Sequence, residues 1–260
     1  MSTREQTEIE RKYDVGAEAV VPDLDGVTSR ADLAGGAGPV LEVARVERDA
    51  PAHLRAVYHD TEDHLLLAAH ITLRRRTGGH DEGWHLKLPP VAAGSASSGQ
   101  KTSSERTGAT GTDHSAADSS AGEPGGSTRG RREVHAPLGS EGEGVPAELL
   151  ARVAEQIGGR SVAPVIVLET TRTATTLLDV AGAALAELAD DVVTATVSSR
   201  EGTEPVVRRW REWEAELAPG VDGPSGDALL DAIEERLLAA GAVPSASRSK
   251  LARGLGAEPA

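Results

Sequence analysis

The sequence predicts a mainly β (α+β) protein built on an antiparallel sheet that is closed or nearly closed. Seven or eight segments alternate apolar and polar side chains, the period of a strand with two different faces. Only two segments carry a clear helical repeat with start and stop signals. Several of the strands also place charge at every second position, which a dry core would not tolerate without partners.

The first strand is expected over residues 6–13, where "EIERK" puts Glu8, Glu10 and Lys12 on one face. "VTSRADLAG" (27–35) is a helix candidate that Thr28 or Ser29 would cap. Residues 40–63 alternate on either side of Pro51 and read as two strands, and "HLLLAAH" (64–70) as a short apolar turn or helix. "ITLRRRTGG" and "GWHLKLP" form a hairpin, with Gly78, Gly79 and "HDEG" supplying the turn. The stretch 91–130 is almost entirely Gly, Ser, Ala, Thr and charged residues. It is too poor in apolar surface to offset its ordering entropy, and a disordered insert of about 92–130 between two strands is expected.

Strand pattern resumes at "RREVHAPL", and "VPAELLARVAEQIGG" is an amphipathic helix running from Pro146 to Gly158. Residues 162–179, 183–199 and 207–218 are three more strands. "SGDALLDAIEERLLAAG" is a helix capped by Ser225 or Asp227 and stopped at Gly241. One domain over 1–245 is expected, with 246–260 as a tail or linker; Lys250 could plug the barrel mouth or start that linker, and the linker is preferred.

Composition narrows the function. A net charge of −14 argues against a general nucleic-acid binder, while the local clusters "LRRRTGG" and "RGRREVH" suit a specific anionic ligand. The absence of Cys excludes disulfides and thiolate chemistry. The N-terminus lacks a signal-peptide core, and no run approaches the roughly 18 apolar residues of a membrane span. No membrane association and a cytoplasmic location are the expectation.

The charged rows are Glu8, Glu10 and Lys12; Arg74 and Arg76; Lys87; Glu187 and Asp191; and Glu212, Glu214 and Glu216. Each row alone is consistent with the solvated face of a half-buried sheet. Their mixed signs also fit a barrel whose interior holds water or a ligand, and the alternation leaves the direction open.

Taken in order, these segments resemble the CYTH domain, the family of triphosphate tunnel metalloenzymes. "EIERKY" resembles its ExExK signature, and "YHDTEDHLLLAAHITLRRRTGG" with "GWHLKLP" its central segment. "TTRTATTLLDVAGAALAELADDVV" and "WREWEAEL" resemble its later acidic strands, and "SRSKLARGLG" the junction that leads to a CHAD domain in actinobacterial CYTH-CHAD proteins. The resemblance implies an eight-stranded antiparallel tunnel with a few flanking helices, a triphosphate substrate and a CHAD partner domain beyond Ala260. It implies that Lys12, Arg74, Arg76, Lys87 and Arg172 bind phosphate. Glu8, Glu10, Asp191, Glu214 and Glu216 would hold Mg²⁺ or Mn²⁺, two ions in all, with Glu8, Glu10, Lys12 and Glu216 as the catalytic set.

The leading expectation is a metal-dependent triphosphatase acting on inorganic triphosphate or a small organic triphosphate. An adenylate cyclase of the same fold is one alternative, weakened because the chain has no Phe for the His-Phe pair of those enzymes. A non-catalytic polyphosphate- or nucleotide-binding module is another. Of the adjacent acids, Asp191 shares parity with Glu187 and is preferred over Asp190; Arg75 and Arg132 are expected outside. His59, His64, His70 and His85 show no metal-ligand spacing and are read as surface or strand residues.

Overall fold

The computed structural model describes residues 3–29, 39–90, 130–140, 142–197 and 204–257. Apart from Gly130, the expected disordered insert lies outside them, as does the helix candidate beyond Ser29.

The strands are β1 (Arg4–Glu8), β2 (Glu10–Val15), β3 (Arg45–Arg48), β4 (Ala52–Asp60), β5 (Thr72–Thr77), β6 (Gly83–Leu88), β7 (Arg131–Ala136), β8 (Ala163–Leu178), β9 (Ala184–Val197), β10 (Val206–Leu217) and β11 (Val243–Pro244). The ladder runs β1-β7-β6-β5-β4-β8-β9-β10-β2-β11, with β3 beside β8. β1 and β2 are one strand broken at Ile9, where it changes partner from β7 to β10. The ladder therefore starts on one half of the N-terminal strand and returns to the other, closing an antiparallel cylinder of eight long strands.

The cylinder has its apolar side outward. Trp213, Ala215, Leu188 and Tyr13 pack beneath α4 (Gly223–Ala239), whose Leu229, Leu230, Ile233 and Leu237 are buried. Leu73, Trp84, Leu86 and Val134 pack beneath α1 (Leu65–Ala68), α2 (Ala147–Arg152) and α3 (Ala154–Ile157). Asp60 holds α1 in place, its carboxylate accepting from the N–H groups of Thr61, Leu66 and Leu67. Closure of the β5–β6 turn requires Gly78, since a Cβ there would lie 2.2 Å from the His53 carbonyl oxygen.

Local signals err where tertiary contacts take over. Thr28 forms a bridge with Glu42, and the Ser29 hydroxyl accepts from Leu41 N–H, so neither caps a helix. α4 begins earlier than expected, after Asp222, and Ser225 donates to the Pro39 carbonyl instead of capping. The helix expected over 145–159 is split at the buried Val153.

The largest departure is at the C-terminus. The segment expected as a tail or linker instead forms α5 (Lys250–Leu255), capped by the Ser249 hydroxyl. Leu251 packs with Ala56, Tyr58, Ile166, Leu168, Val193 and Ala195, on the same strand faces that carry the charged rows. α5 thus fills one end of the cylinder. Gly254 permits the close approach, because a Cβ there would meet Ile166 at 2.5 Å.

Candidate active site

Register carries the charged rows into one ring. Glu214 lies opposite Lys12 and Glu216 opposite Glu10 on the β10–β2 pair; Glu212 faces Asp191 on β9, and Asp191 faces Arg172 on β8. Across the barrel, Lys87 on β6 pairs with Thr72 on β5 and Glu133 on β7. A cavity of about 380 Å³ is lined by Glu8, Glu10, Lys12, Glu214 and Glu216 together with Arg74, Arg76, Lys87 and Arg172. A second cavity, about 680 Å³ and more apolar, also reaches Glu8, Glu10 and Lys12 and is lined by Leu67, Ile71 and Arg248.

The acids expected to hold metal do not form one cluster. Among the described residues, the carboxylates that already converge within 4.8 Å are Asp191, Glu212 and Glu214. Their centre is taken by the Lys250 ammonium, 3.0 Å from Asp191, 2.6 Å from Glu212 and 2.7 Å from Glu214. Arg172 adds a forked contact to Asp191 at 2.8 and 2.6 Å and reaches Glu214 at 3.1 Å, and Lys12 also pairs with Glu214. Burial alone would raise Glu214, but Lys12, Lys250 and Arg172 hold it well below the usual carboxylate range. The same acids, with Glu214 the strongest, raise Lys250 against the effect of its own burial.

Glu8, Glu10 and Glu216 have a different environment. Burial and a hydrogen bond with Glu133 push Glu8 up to about 7, despite Lys87 at 2.5 Å. Burial, then the charges of Glu8, Glu10 and Glu214, push Glu216 up to about 8. Glu10 differs: although burial opposes it, Lys12 and Lys87 bring it down to about 2. Two carboxyl groups in this part of the ring therefore lack enough positive charge to ionise readily.

The cations are not equally available. Lys12, Lys87 and Arg172 are engaged with acids, and Arg76 donates to the Asp81 carbonyl at 3.0 and 2.8 Å and to its carboxylate at 2.5 Å. Arg74 touches Tyr58 Oη at 3.3 Å, while its buried Nε has no hydrogen-bond partner. A buried guanidinium that lines a cavity and has no carboxylate partner of its own in hydrogen-bond contact is suited to an anion.

Every expected site residue except Asp191 lines the 380 Å³ cavity, and Asp191 reaches the site through Arg172 and Lys250. Asp190 points elsewhere, to Arg211 and the Trp213 indole. Arg132 sits beside Glu5 at 3.4 Å and does not line the cavity, and Arg75 does not line it either. Three participants lie outside the expected set: Lys250, for which the linker is preferred over the barrel mouth, Glu133 and His85. Parity along "RREVHA" and "WHLKLP" was the available signal for the last two.

A family model described as the CYTH domain matches residues 6–203. Two uncharacterised Mycobacterium tuberculosis proteins, MT2285 (strain CDC 1551 / Oshkosh) and Rv2226 (strain ATCC 25618 / H37Rv), are each 38% identical over 256 residues. The match covers 96% of this chain and 40% of each relative, so the chain spans well under half the length of either. A solved Bacillus halodurans protein assigned as a candidate adenylate cyclase (bh2851) superposes with a TM-score of 0.50 at 16% identity. That match covers 96% of this chain and 97% of the other, a likeness of fold alone.

Proposed function

The chain belongs to the CYTH domain family, and on that premise we propose that it hydrolyses inorganic triphosphate or a small organic triphosphate within its barrel. The observation that carries this reading is a double shortage in one cavity. Arg74 has an unused buried donor, whereas Glu8 and Glu216 stay raised because Lys87 alone does not offset their burial and mutual repulsion. A metal–triphosphate complex supplies both charges at once.

The all-oxygen donor set suits Mg²⁺ or Mn²⁺. Glu8, Glu10 and Glu216 would hold it, and the raised Glu8 and Glu216 values are the mark of a site that a divalent ion would relieve. When bound, such an ion offsets phosphate charge and favours ionisation of a water molecule.

The chain's own residues do the rest. Arg74 stands where it can bind phosphate oxygens, and Lys12, Lys87 and Arg172 can turn to the anion from their acid partners. Water attacks the terminal phosphorus, the bridging P–O bond breaks, and triphosphate leaves as diphosphate and phosphate. Glu216 accepts the water proton. Positive side chains around the cavity stabilise the charge that develops on the leaving oxygen. The capping α5 helix keeps water out of one end, and Lys250 anchors it.

The test is product release from inorganic triphosphate, ATP and thiamine triphosphate, each with Mg²⁺, Mn²⁺ or EDTA. Phosphate release that EDTA abolishes is expected. Cyclic AMP with diphosphate from ATP would replace hydrolysis by cyclisation, and tight binding without products would replace catalysis by sensing.

A further inference from the structure

A second cluster of ligating side chains lies at the β5–β6 turn, with chemistry unlike that of the carboxylate ring. His85 on β6 and His135 on β7 are a direct cross-strand pair, their rings 4.8 Å apart at 73°. Asp81 comes down from the turn above them. His135 Nε2 is 3.6 Å from Asp81 Oδ1, and His85 Nε2 is 3.8 Å from Asp81 Oδ2. The three ligand atoms all lie within 4.8 Å of one another.

We infer that Asp81, His85 and His135 form a binding site for a borderline divalent transition cation, with Zn²⁺ its natural occupant. Two imidazoles and a carboxylate are a donor set that selects such ions over Mg²⁺. Tetrahedral ligands at about 2.0 Å from zinc lie about 3.3 Å apart, so the cluster would have to contract to take the ion.

Three further features point to a ligand. Glu133 Oε1 lies 3.1 Å from His85 Nδ1, the carboxylate–histidine arrangement that fixes a metal-binding tautomer and leaves Nε2 free to ligate. That Nε2 is also 3.1 Å from the Asp81 carbonyl oxygen, so a neutral ring has one proton for two acceptors. Burial, with Arg74 and Arg76, keeps the ring neutral, at about 2. A cation between Nε2 and the turn would relieve the lone-pair conflict. Finally, Gly83 leaves the space for the His135 ring, since a Cβ there would sit 2.3 Å from Nε2.

Entry is from solvent, where the Asp81 side chain is 43% and His135 22% exposed. Arg76 competes for Asp81 Oδ2, so a cation captured there would displace that contact while the two bonds to the Asp81 carbonyl keep Arg76 in place.

The experiment is a Co²⁺ titration of the metal-stripped full chain, free of any histidine tag and with excess Mg²⁺ to satisfy the oxygen-lined ring. One Co²⁺ per chain is expected, with visible ligand-field bands that Zn²⁺ abolishes by displacement. His135→Ala and Asp81→Asn, both at partly exposed positions, should weaken Co²⁺ binding by at least about tenfold. Glu216→Gln should leave the bands unchanged. Absence of bands, wild-type titration of His135→Ala, or loss of the bands in Glu216→Gln would each overturn the site. None of these readouts depends on hydrolysis, so this inference and the proposed activity fail separately.

Discussion

Two groups of three acids share the inside of this barrel, and they resolve their mutual repulsion differently. Asp191, Glu212 and Glu214 enclose the Lys250 ammonium, with Arg172 and Lys12 alongside. Glu8, Glu10 and Glu216 have Lys12 and Lys87, which are enough for Glu10 but leave Glu8 at about 7 and Glu216 at about 8. Like charges in a dry interior need a cation. One group carries its own on α5, and the other is where the proposed function would place a metal ion.

The comparison breaks most severely if Lys250 is removed. Lys250→Met keeps much of the packing but leaves three buried carboxylates without their ammonium, and a loss of about 3–5 kcal/mol is expected from chemical denaturation. Added Mn²⁺ should recover part of it, because the vacated cluster then resembles its neighbour. A Lys250→Met protein as stable as wild type would mean that the ammonium does not hold the acids together.

Next in size, Glu10→Gln and Glu216→Gln should each lower kcat by about 100-fold or more in a phosphate-release assay. Wild-type rates in both would remove the metal assignment. Arg74→Ala should raise KM and lower kcat about tenfold, as expected for one lost charged hydrogen bond to the anion. Arg75→Ala, off the cavity, should stay within about 0.5 kcal/mol of wild-type stability and leave kinetics unchanged.

The smallest expected effect is in pH dependence. Glu8 and Glu216 hold their protons to higher pH in the folded chain than the ordinary 4.5 of an unfolded glutamate. Below about pH 6.5 the neutral-held His85 offsets them, but between pH 6.5 and 8 the folded state binds more protons than the unfolded one, so in EDTA the melting temperature should fall as pH rises there. Saturating Mg²⁺ should flatten that slope. A melting temperature in EDTA that rises over the same window would show that these acids are already neutralised.

Strand alternation in "EIERK", "ITLRRRT" and "WREWEAEL" made the ring legible, since parity assigns a face and the closed ladder turns that face inward. The same rule separated Asp191 from Asp190 and Arg74 from Arg75. It missed Glu133 because the strand begins beside a long polar stretch that offers no neighbouring register. Lys250 was legible only as the less favoured of two readings, for another reason. A short helix six residues long says nothing about which cavity it enters, and only the closure of the barrel, with Gly254 against Ile166, places it inside. Caps at Thr28 and Ser225 failed similarly, because their hydroxyl-bearing segments had tertiary partners to prefer.

The most direct measurement is calorimetric titration of metal-free protein with Mg²⁺ at pH 7, in buffers of different ionisation enthalpy. Binding with proton release is predicted, because Glu8 and Glu216 must ionise to hold the ion. The heat should vanish in Glu216→Gln and persist in Glu212→Gln. Binding without proton release, or binding lost only in Glu212→Gln, would place the ion at the cluster that Lys250 occupies and contradict the account.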